Sequence, residues 1–467
     1  MFTTMKKILI NTRKKSFLAD TITPVSIYLK LRDRFANSFL LESSDYHGAE
    51  NSYSYICCDP IASIKVGDSE VSITRPGENP TTRTWTDLKD ELLTFSNSFE
   101  HTNTDANHIE SGLFGYLNYD SIHAFEDVTL NQLDQTTPVA QYHLFRFVVA
   151  LDHFKNECHL IESFISEPDD LLFDEVSSLI QQRNIPFYPF KTKGDKVSNK
   201  TDAEYLEMVK KGIHHCHVGD VFQVVLSRNF SIPFQGDEFQ VYRALRSVNP
   251  SPYLFYFDYG SFRIFGSSPE AQIVLKNGKA EIHPIAGTFK RTGNDKADSE
   301  LAEKLLNDPK EDSEHVMLVD LARNDLSHSC ENVKVETYKE VQYYSHVIHL
   351  VSKVTGQIKK GSSFMDIVAE TFPAGTLSGA PKIRAMEIIE ENEKTPRGFY
   401  GGAVGFMDFN GNFNHAIMIR SFKSQSGELK FQAGAGVVAQ SVPENELQEV
   451  FNKTGALEHA VREAEKL

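Results

Sequence analysis

Strand-like runs in this chain outnumber the helices that would be needed to join them as parallel strands. Residues 145–151 are rich in Phe, Val and Leu and read as a buried strand; Val221-Phe-Gln-Val-Val-Leu-Ser-Arg228 reads as another. Clear helical spacing occurs only at intervals. One helix opens with Asp202 as its expected cap and carries Leu206, Val209, Ile213 and Cys216 on one stripe. Others are expected over 299–307, 310–323, 381–393 and 444–465. A doubly wound sheet needs a crossover helix after nearly every strand. Hairpins must supply most connections here, so the pattern predicts an α+β fold with packed sheets.

A polar stretch over 191–200 is the best linker or surface-loop candidate. It divides an N-terminal region, 1–190, from a longer region, 200–467. No repeat of fixed period and no low-complexity tract interrupts either.

Charge narrows the class of function. The 467 residues carry 48 Lys and Arg against 64 Asp and Glu, a formal charge of −16. That argues against general nucleic-acid binding, which needs a basic field. A small anionic substrate stays open, because a local site can be positive on a negative protein. The five cysteines, Cys57, Cys58, Cys158, Cys216 and Cys330, show no CxxC spacing, so a reducing compartment without a zinc ribbon is expected. The apolar core of the first twenty residues is only Ile8-Leu9-Ile10, too short for a signal peptide. No run of about 18 apolar residues predicts a membrane span. The expected setting is the cytoplasm, with no membrane partner.

Several constellations have chemistry in them. Glu311 and Glu314 lie three apart on the helix 310–323, whose following residues are apolar nearly all round and predict burial. Glu446 and Glu449 are also three apart, with Lys453 four further on. Two readings stand: solvated helix faces with ion pairs, or carboxylates that hold a hard cation such as Mg²⁺. Gly375-Thr-Leu-Ser-Gly-Ala-Pro-Lys382 leads into a helix but lacks the ending of a Walker A loop. Gly434-Ala-Gly436 and Tyr400-Gly-Gly402 are either tight turns or places where backbone approaches a ligand. Arg420, placed in an apolar strand 415–421, wants a carboxylate from the protein or from a ligand. His214-His215-Cys216-His217 is no metal site, because adjacent helical residues do not face one point.

Taken in order, these segments resemble the chorismate-utilising enzymes, and within them the large subunit of anthranilate synthase. The resemblance runs through Phe222-Gln-Val-Val-Leu-Ser-Arg228, Asn249-Pro-Ser-Pro-Tyr253, Gly266-Ser-Ser-Pro-Glu270 and Pro284-Ile-Ala-Gly-Thr288. It continues through 314–325, His349-Leu-Val-Ser352, 375–382, 400–405 and 432–438, and more weakly through Leu40-Leu-Glu-Ser43. It implies an anthranilate synthase-like fold: two packed, antiparallel-rich β-sheets with helices outside.

Two positions separate the family's reactions. Isochorismate and salicylate synthases carry a water-activating lysine where this chain has Gln223, and an amide has no basic lone pair for that task. Aminodeoxychorismate synthases typically carry a nucleophilic lysine where this chain has Ala286. What remains is direct attack of ammonia at C2 of chorismate, the anthranilate outcome. Two alternatives remain: an aminodeoxychorismate synthase with an atypical Ala286, and a non-catalytic tryptophan-binding regulatory homologue.

The resemblance also implies roles. Glu314 and Glu449 would bind Mg²⁺, with Glu311 and Glu446 supporting them one turn away. Glu270 would protonate the departing ring hydroxyl, so it must hold a proton near neutral pH. Tyr400, Arg420, Gly434, Ala435, Gly436 and Lys453 would grip the pyruvyl carboxylate. His349 would shuttle the C2 proton, with Thr376 beside it. None of the cysteines has the strand-to-helix setting of a class I amidotransferase nucleophile, which implies a separate glutamine amidotransferase subunit as the ammonia source. Glu42 and Ser43, with Pro252, Tyr253, Leu254 and Phe255, resemble a feedback site that encloses L-tryptophan in an apolar slot.

Overall fold

The computed structural model describes residues 7–43, 53–101, 108–343 and 347–467. Part of the N-terminal stretch weighed above as a leader, residues 1–6, lies outside them.

Two sheets grow from one long antiparallel ribbon. Tyr53–Val66 pairs with Ala140–Asp152 from Tyr53↔Asp152 to Val66↔Ala140. The outer edge of each strand is shared between two neighbours. Ala140–Asp152 pairs with Leu113–Leu117 over its first half and with Glu157–Phe164 over its second. Tyr53–Val66 pairs with Phe39–Glu42 and then with Glu70–Thr74. The register slips between Pro60 and Ala62, next to Asp59 at φ +61°. A bulge bends the ribbon at that point, and it is also where a strand tolerates proline.

One sheet runs from Phe39–Glu42 through Tyr253–Asp258, Arg263–Ser268, Ser421–Gln425 and Glu428–Val438 to Gln223–Gly236. The other runs from Leu113–Leu117 through Ala403–Met407, Phe413–Ile417, Ala271–Lys276, Lys279–Ile282 and Val347–Ile358 to Cys330–Tyr343. Among the described residues, Ile8–Leu18 with Phe99–His101 is the one parallel pair. Strands from the first 190 residues and strands beyond residue 200 thus pair within the same sheets.

Strand alternation sorts the apolar side chains into three layers. Phe39, Phe145, Phe255 and Phe257 meet Phe114, Tyr116, Val404 and Met418 between the sheets. Leu254, Tyr256, Leu226 and Phe431 leave the first sheet on its far side, under helices that include Asp202–Val218, Phe239–Val248 and Pro443–Ala464. Ile273, Leu275 and Val354 leave the second sheet toward Leu88–Asn97, Pro309–Ser329 and Phe364–Thr371. Helices on the outside of two packed, mostly antiparallel sheets are the arrangement the sequence predicts.

Three local expectations are corrected. Thr201, not Asp202, caps the helix Asp202–Val218, because its hydroxyl and the Glu204 carboxylate close a reciprocal capping box. The polar stretch 191–200 holds two short strands, Phe190–Thr192 and Val197–Ser198, paired along Gln223–Gly236. The helix expected over 310–323 spans Pro309–Ser329 and is not buried all round. Its Val316 is 45% exposed and lines a groove with Phe222, Met317, Val335 and Tyr338. Apolar composition on every side predicts a buried helix, but only one side of this one meets the sheet.

Candidate active site

Thr376 donates a hydrogen bond of 3.0 Å from Oγ1 to Glu270 Oε1. Glu270 follows the strand Arg263–Ser268, and its backbone carbonyl accepts from Ile417 N–H, so a strand end and a loop meet there. Glu270 is half-buried, and desolvation pushes its pKa up to about 7. The Thr376 hydrogen bond and the charges of Lys453 and Arg420 pull in the opposite direction and lose to desolvation. A carboxylic acid that is part-protonated at neutral pH is what a general acid requires.

Arg420 corrects a strand assignment. The strand expected over 415–421 ends at Ile417, and the next begins at Ser421. Arg420 sits between them at φ +49°, in the left-handed region. That conformation costs a non-glycine residue about 1–2 kcal/mol. Its carbonyl accepts from Ser267 N–H at 3.1 Å, and its guanidinium feels Glu270 while burial lowers its pKa. The break turns a cation into the site that a continuous strand would have sent along the sheet.

His349 lies in the strand Val347–Ile358 and is 8% exposed. Its Nδ1 is 2.7 Å from Gly287 O. A carbonyl only accepts, so Nδ1 carries the proton and Nε2 is the basic nitrogen of the neutral ring. Burial lowers the pKa, which keeps the imidazole neutral. Gly287 has φ +71°, and a Cβ there would lie 2.6 Å from Leu305 and 3.1 Å from Glu311 Oε2. Glu311 thus borders the carbonyl platform on which His349 rests. Ala286 is buried one residue away and registers against Leu350, beside His349.

Gly434 and Gly436 flank Ala435, whose methyl packs under the helices, so alternation turns the two glycines to the opposite face. Ala435 therefore contributes backbone only. The Gly434 backbone N–H lies near enough to the buried Tyr400 hydroxyl to oppose the rise in its pKa that burial causes, and the Gly434 carbonyl accepts from Lys453 Nζ at 2.8 Å. A Cβ at Gly436 would come within 2.3 Å of Gln223 Nε2. Gln223 is 5% exposed and its Oε1 has no protein partner.

The acidic pairs sit on Pro309–Ser329 and Pro443–Ala464. Glu449 lies 2.7 Å from Lys453 Nζ, and Glu446 is 6% exposed. Among the described residues no three His, Cys, Asp or Glu side chains converge as a ready cage for a metal. Mg²⁺ does not demand one, since it takes one or two carboxylates and completes its shell with water and substrate oxygens. An all-oxygen donor pair, one from each helix, fits that habit.

The segment expected to bind tryptophan is assembled and also redistributed. Leu254 registers directly against Glu42, which joins the two stretches. Glu42 is buried and accepts from Tyr242 OH at 2.6 Å and from Arg246 Nε at 2.9 Å. Leu254 packs on the helix side and Phe255 between the sheets, with Tyr253 against that same inner layer. Adjacent strand residues point to opposite faces, so Leu254 and Phe255 do not wall one slot. Pro252 and Ser43 are half-buried at the ends of the two segments.

Sequence reasoning missed Arg397 and Glu393, a buried ion pair behind the site. Its spacing of four is the ordinary signature of an exposed helical pair, so no local signal marks it. His215 pairs with Asp220 at 2.7 Å.

The family model for chorismate-binding enzymes matches residues 37–459. The chain is 39% identical over 481 residues to anthranilate synthase component 1 of Bacillus subtilis, covering 97% of this chain and 92% of that one. It is 38% identical over 466 residues to the component 1 protein of Thermus thermophilus, covering 98% and 99%. Among solved structures it matches anthranilate synthase component I of Streptococcus pneumoniae with a TM-score of 0.76 and 32% identity, over 87% of this chain and 92% of that one. The menaquinone-specific isochorismate synthase of Escherichia coli shares the fold, with a TM-score of 0.74, 19% identity and coverage of 97% and 94%. This chain belongs to the chorismate-binding enzyme family, in its anthranilate synthase component 1 branch.

Proposed function

We propose that this chain converts chorismate and ammonia into anthranilate, pyruvate and water, on the route to tryptophan. The observation that carries the reading is Glu270: a desolvated carboxyl whose pKa is pushed up to about 7, hydrogen-bonded to Thr376 and faced by the charges of Arg420 and Lys453. Alanine at 286 and an amide at 223 leave neither lysine that the sister reactions use.

Glu270 gives its proton to the ring hydroxyl, which departs as water while ammonia forms the bond at C2. Arg420 lies close enough to offset the substrate's negative charge and is already held in place by its own backbone. His349 Nε2 then takes the C2 proton, the ring aromatises and the C3–O bond to enolpyruvate breaks. The enolpyruvate picks up a proton to become pyruvate. Mg²⁺, held by Glu314 and Glu449, would supply a positive charge for the ring carboxylate. Glu311 and Glu446 support that pair.

Ammonia would come from a glutamine amidotransferase partner. The cysteines of this chain lie inside strands, in a helix, or where a helix gives way to a strand; none occupies a strand-to-helix elbow. Burial raises the thiol pKa of Cys57, Cys58 and Cys158, the reverse of what a nucleophile needs. L-Tryptophan would bind beside Glu42 and Ser43 on the Pro252 and Leu254 face of the 252–255 segment, with Phe255 left in the layer between the sheets, and inhibit at a distance.

The test is an assay of the purified chain with chorismate, Mg²⁺ and an ammonium salt, read by anthranilate fluorescence and by pyruvate. Equal amounts of the two products are expected with ammonium and none with glutamine. Glutamine-dependent turnover by the chain alone overturns the partner; a non-aromatic amino product overturns the anthranilate assignment.

A further inference from the structure

Behind the catalytic groups lies a charged pair sealed from water. The Arg397 and Glu393 side chains are 2% and 4% exposed. Arg397 spends its guanidinium on four acceptor contacts: Glu393 Oε2 at 2.9 Å, Glu393 Oε1 at 2.6 Å, Val225 O at 2.8 Å and Leu377 O at 2.6 Å. Its guanidinium carbon lies 4.8 Å from the centre of the Tyr119 ring and 5.6 Å from that of the Tyr400 ring. Glu393 Oε1 also accepts from Ser227 N–H and Ser227 Oγ, both at 2.8 Å.

The contacts to Leu377, to Val225 and Ser227, and to Tyr400 each reach a segment that carries a site residue. Leu377 follows Thr376, the donor to Glu270. Val225 lies two residues beyond Gln223 on the same strand, and Tyr400 is itself a residue expected at the substrate, beside the Gly434 backbone. The strand at Val225 and the loop at Leu377, remote from each other in sequence, are therefore tied together by one planar, five-donor group that also lies over the Tyr400 ring. A lysine, a point charge with three donors, cannot reproduce that fork.

We propose that Arg397, clamped by Glu393, is a positioning residue that sets the Thr376 loop against Glu270 and sets Tyr400 beneath Gly434. The proposal rests on Glu270 acting as the acid in the reaction above. Arg397 touches no substrate in this arrangement. It acts through the carbonyl of Leu377 and the ring of Tyr400.

The experiment compares pH profiles of kcat at saturating free ammonia for wild type, Thr376→Val, Arg397→Lys and the double variant. The Thr376 hydrogen bond lowers the Glu270 pKa, so losing it lets the acid keep its proton to higher pH. Thr376→Val moves the falling limb upward. Arg397→Lys is expected to move it the same way, to lower kcat by about tenfold or more, and to add little to Thr376→Val. Breaking a buried pair can unfold a protein, so Arg397→Gln with Glu393→Gln is the second variant: it removes both charges together and leaves neither uncompensated. Its limb is expected to shift as well, in folded protein. A wild-type limb and kcat in either folded variant, or effects that simply add to those of Thr376→Val, overturns the positioning role. The wild-type control separates the two readings. Anthranilate from wild type with unmoved variants sinks the positioning role alone, whereas no anthranilate from wild type sinks both.

Discussion

Thr376 and Glu270 are 106 residues apart in sequence and 3.0 Å apart in space. That hydrogen bond joins a loop to the end of a strand and sets the proton affinity of the acid against the burial that raises it. Its consequences reach beyond catalysis, because a carboxyl kept protonated for function is a burden on the fold at higher pH.

The folded-state pKa of Glu270 is about 7 against an ordinary 4.5. Below the lower value both folded and unfolded forms are protonated, and nothing is lost. Above the upper value both are ionised, and the folded state carries a buried charge worth about 3 kcal/mol of destabilisation. Glu270→Gln should therefore gain up to about 3 kcal/mol near pH 8 and almost nothing near pH 4, while losing most turnover. Denaturant melts at the two pH values check it. Equal effects at both would show that the Glu270 pKa is the same in the folded and unfolded chain, so that the carboxyl is not held protonated.

His349→Met should part the two half-reactions. The first needs Glu270, whereas the second needs a base at C2 that methionine cannot supply. The expected result is a build-up of aminodeoxyisochorismate with anthranilate formation cut by about 100-fold or more. Chromatography of the products reads it. Normal anthranilate would leave His349 a structural imidazole on Gly287.

Chelation should abolish turnover and Mg²⁺ should restore it. Glu314→Gln and Glu449→Gln should each weaken Mg²⁺ binding by about tenfold or more, and Glu311→Gln by less. Calorimetric titration of Mg²⁺ into each variant gives the affinity independently of activity. Unchanged affinity in both Glu314→Gln and Glu449→Gln removes the assignment. Glu311→Gln is expected to act partly through the Gly287 and His349 platform that it borders.

Ser43→Phe should abolish inhibition by tryptophan and leave ammonia-dependent turnover near that of wild type. Ser43 follows Glu42, whose carboxylate is anchored by Tyr242 and Arg246, so a larger side chain there fills space without disturbing the strand pairing. Tryptophan and chorismate should also oppose each other's binding by the same factor. Calorimetry with millimolar tryptophan decides it; no heat from the wild-type chain eliminates the site.

Much of this protein is written locally. The apolar run over 145–151, inside Ala140–Asp152, and the stripe along Pro443–Ala464 state which elements form, because run length and side-chain period distinguish a buried strand from a helix. The chemistry that separates this chain from its sister enzymes is local too: an amide at Gln223 and a methyl at Ala286 exclude two nucleophile strategies by composition alone. Tertiary structure decided the rest. Arg420 reads as a strand residue until its φ of +49° breaks the strand and turns it inward, a conformation paid for by contacts from Ser267 and its neighbours. Leu254 and Phe255 read as one apolar surface until pairing with Phe39–Glu42 sends them to opposite layers. Glu393 and Arg397 have the spacing of a solvated surface pair and are sealed in the interior. The common reason is that sequence periodicity reports the faces of one element at a time. Burial and proton affinity are set by the other elements that close over it.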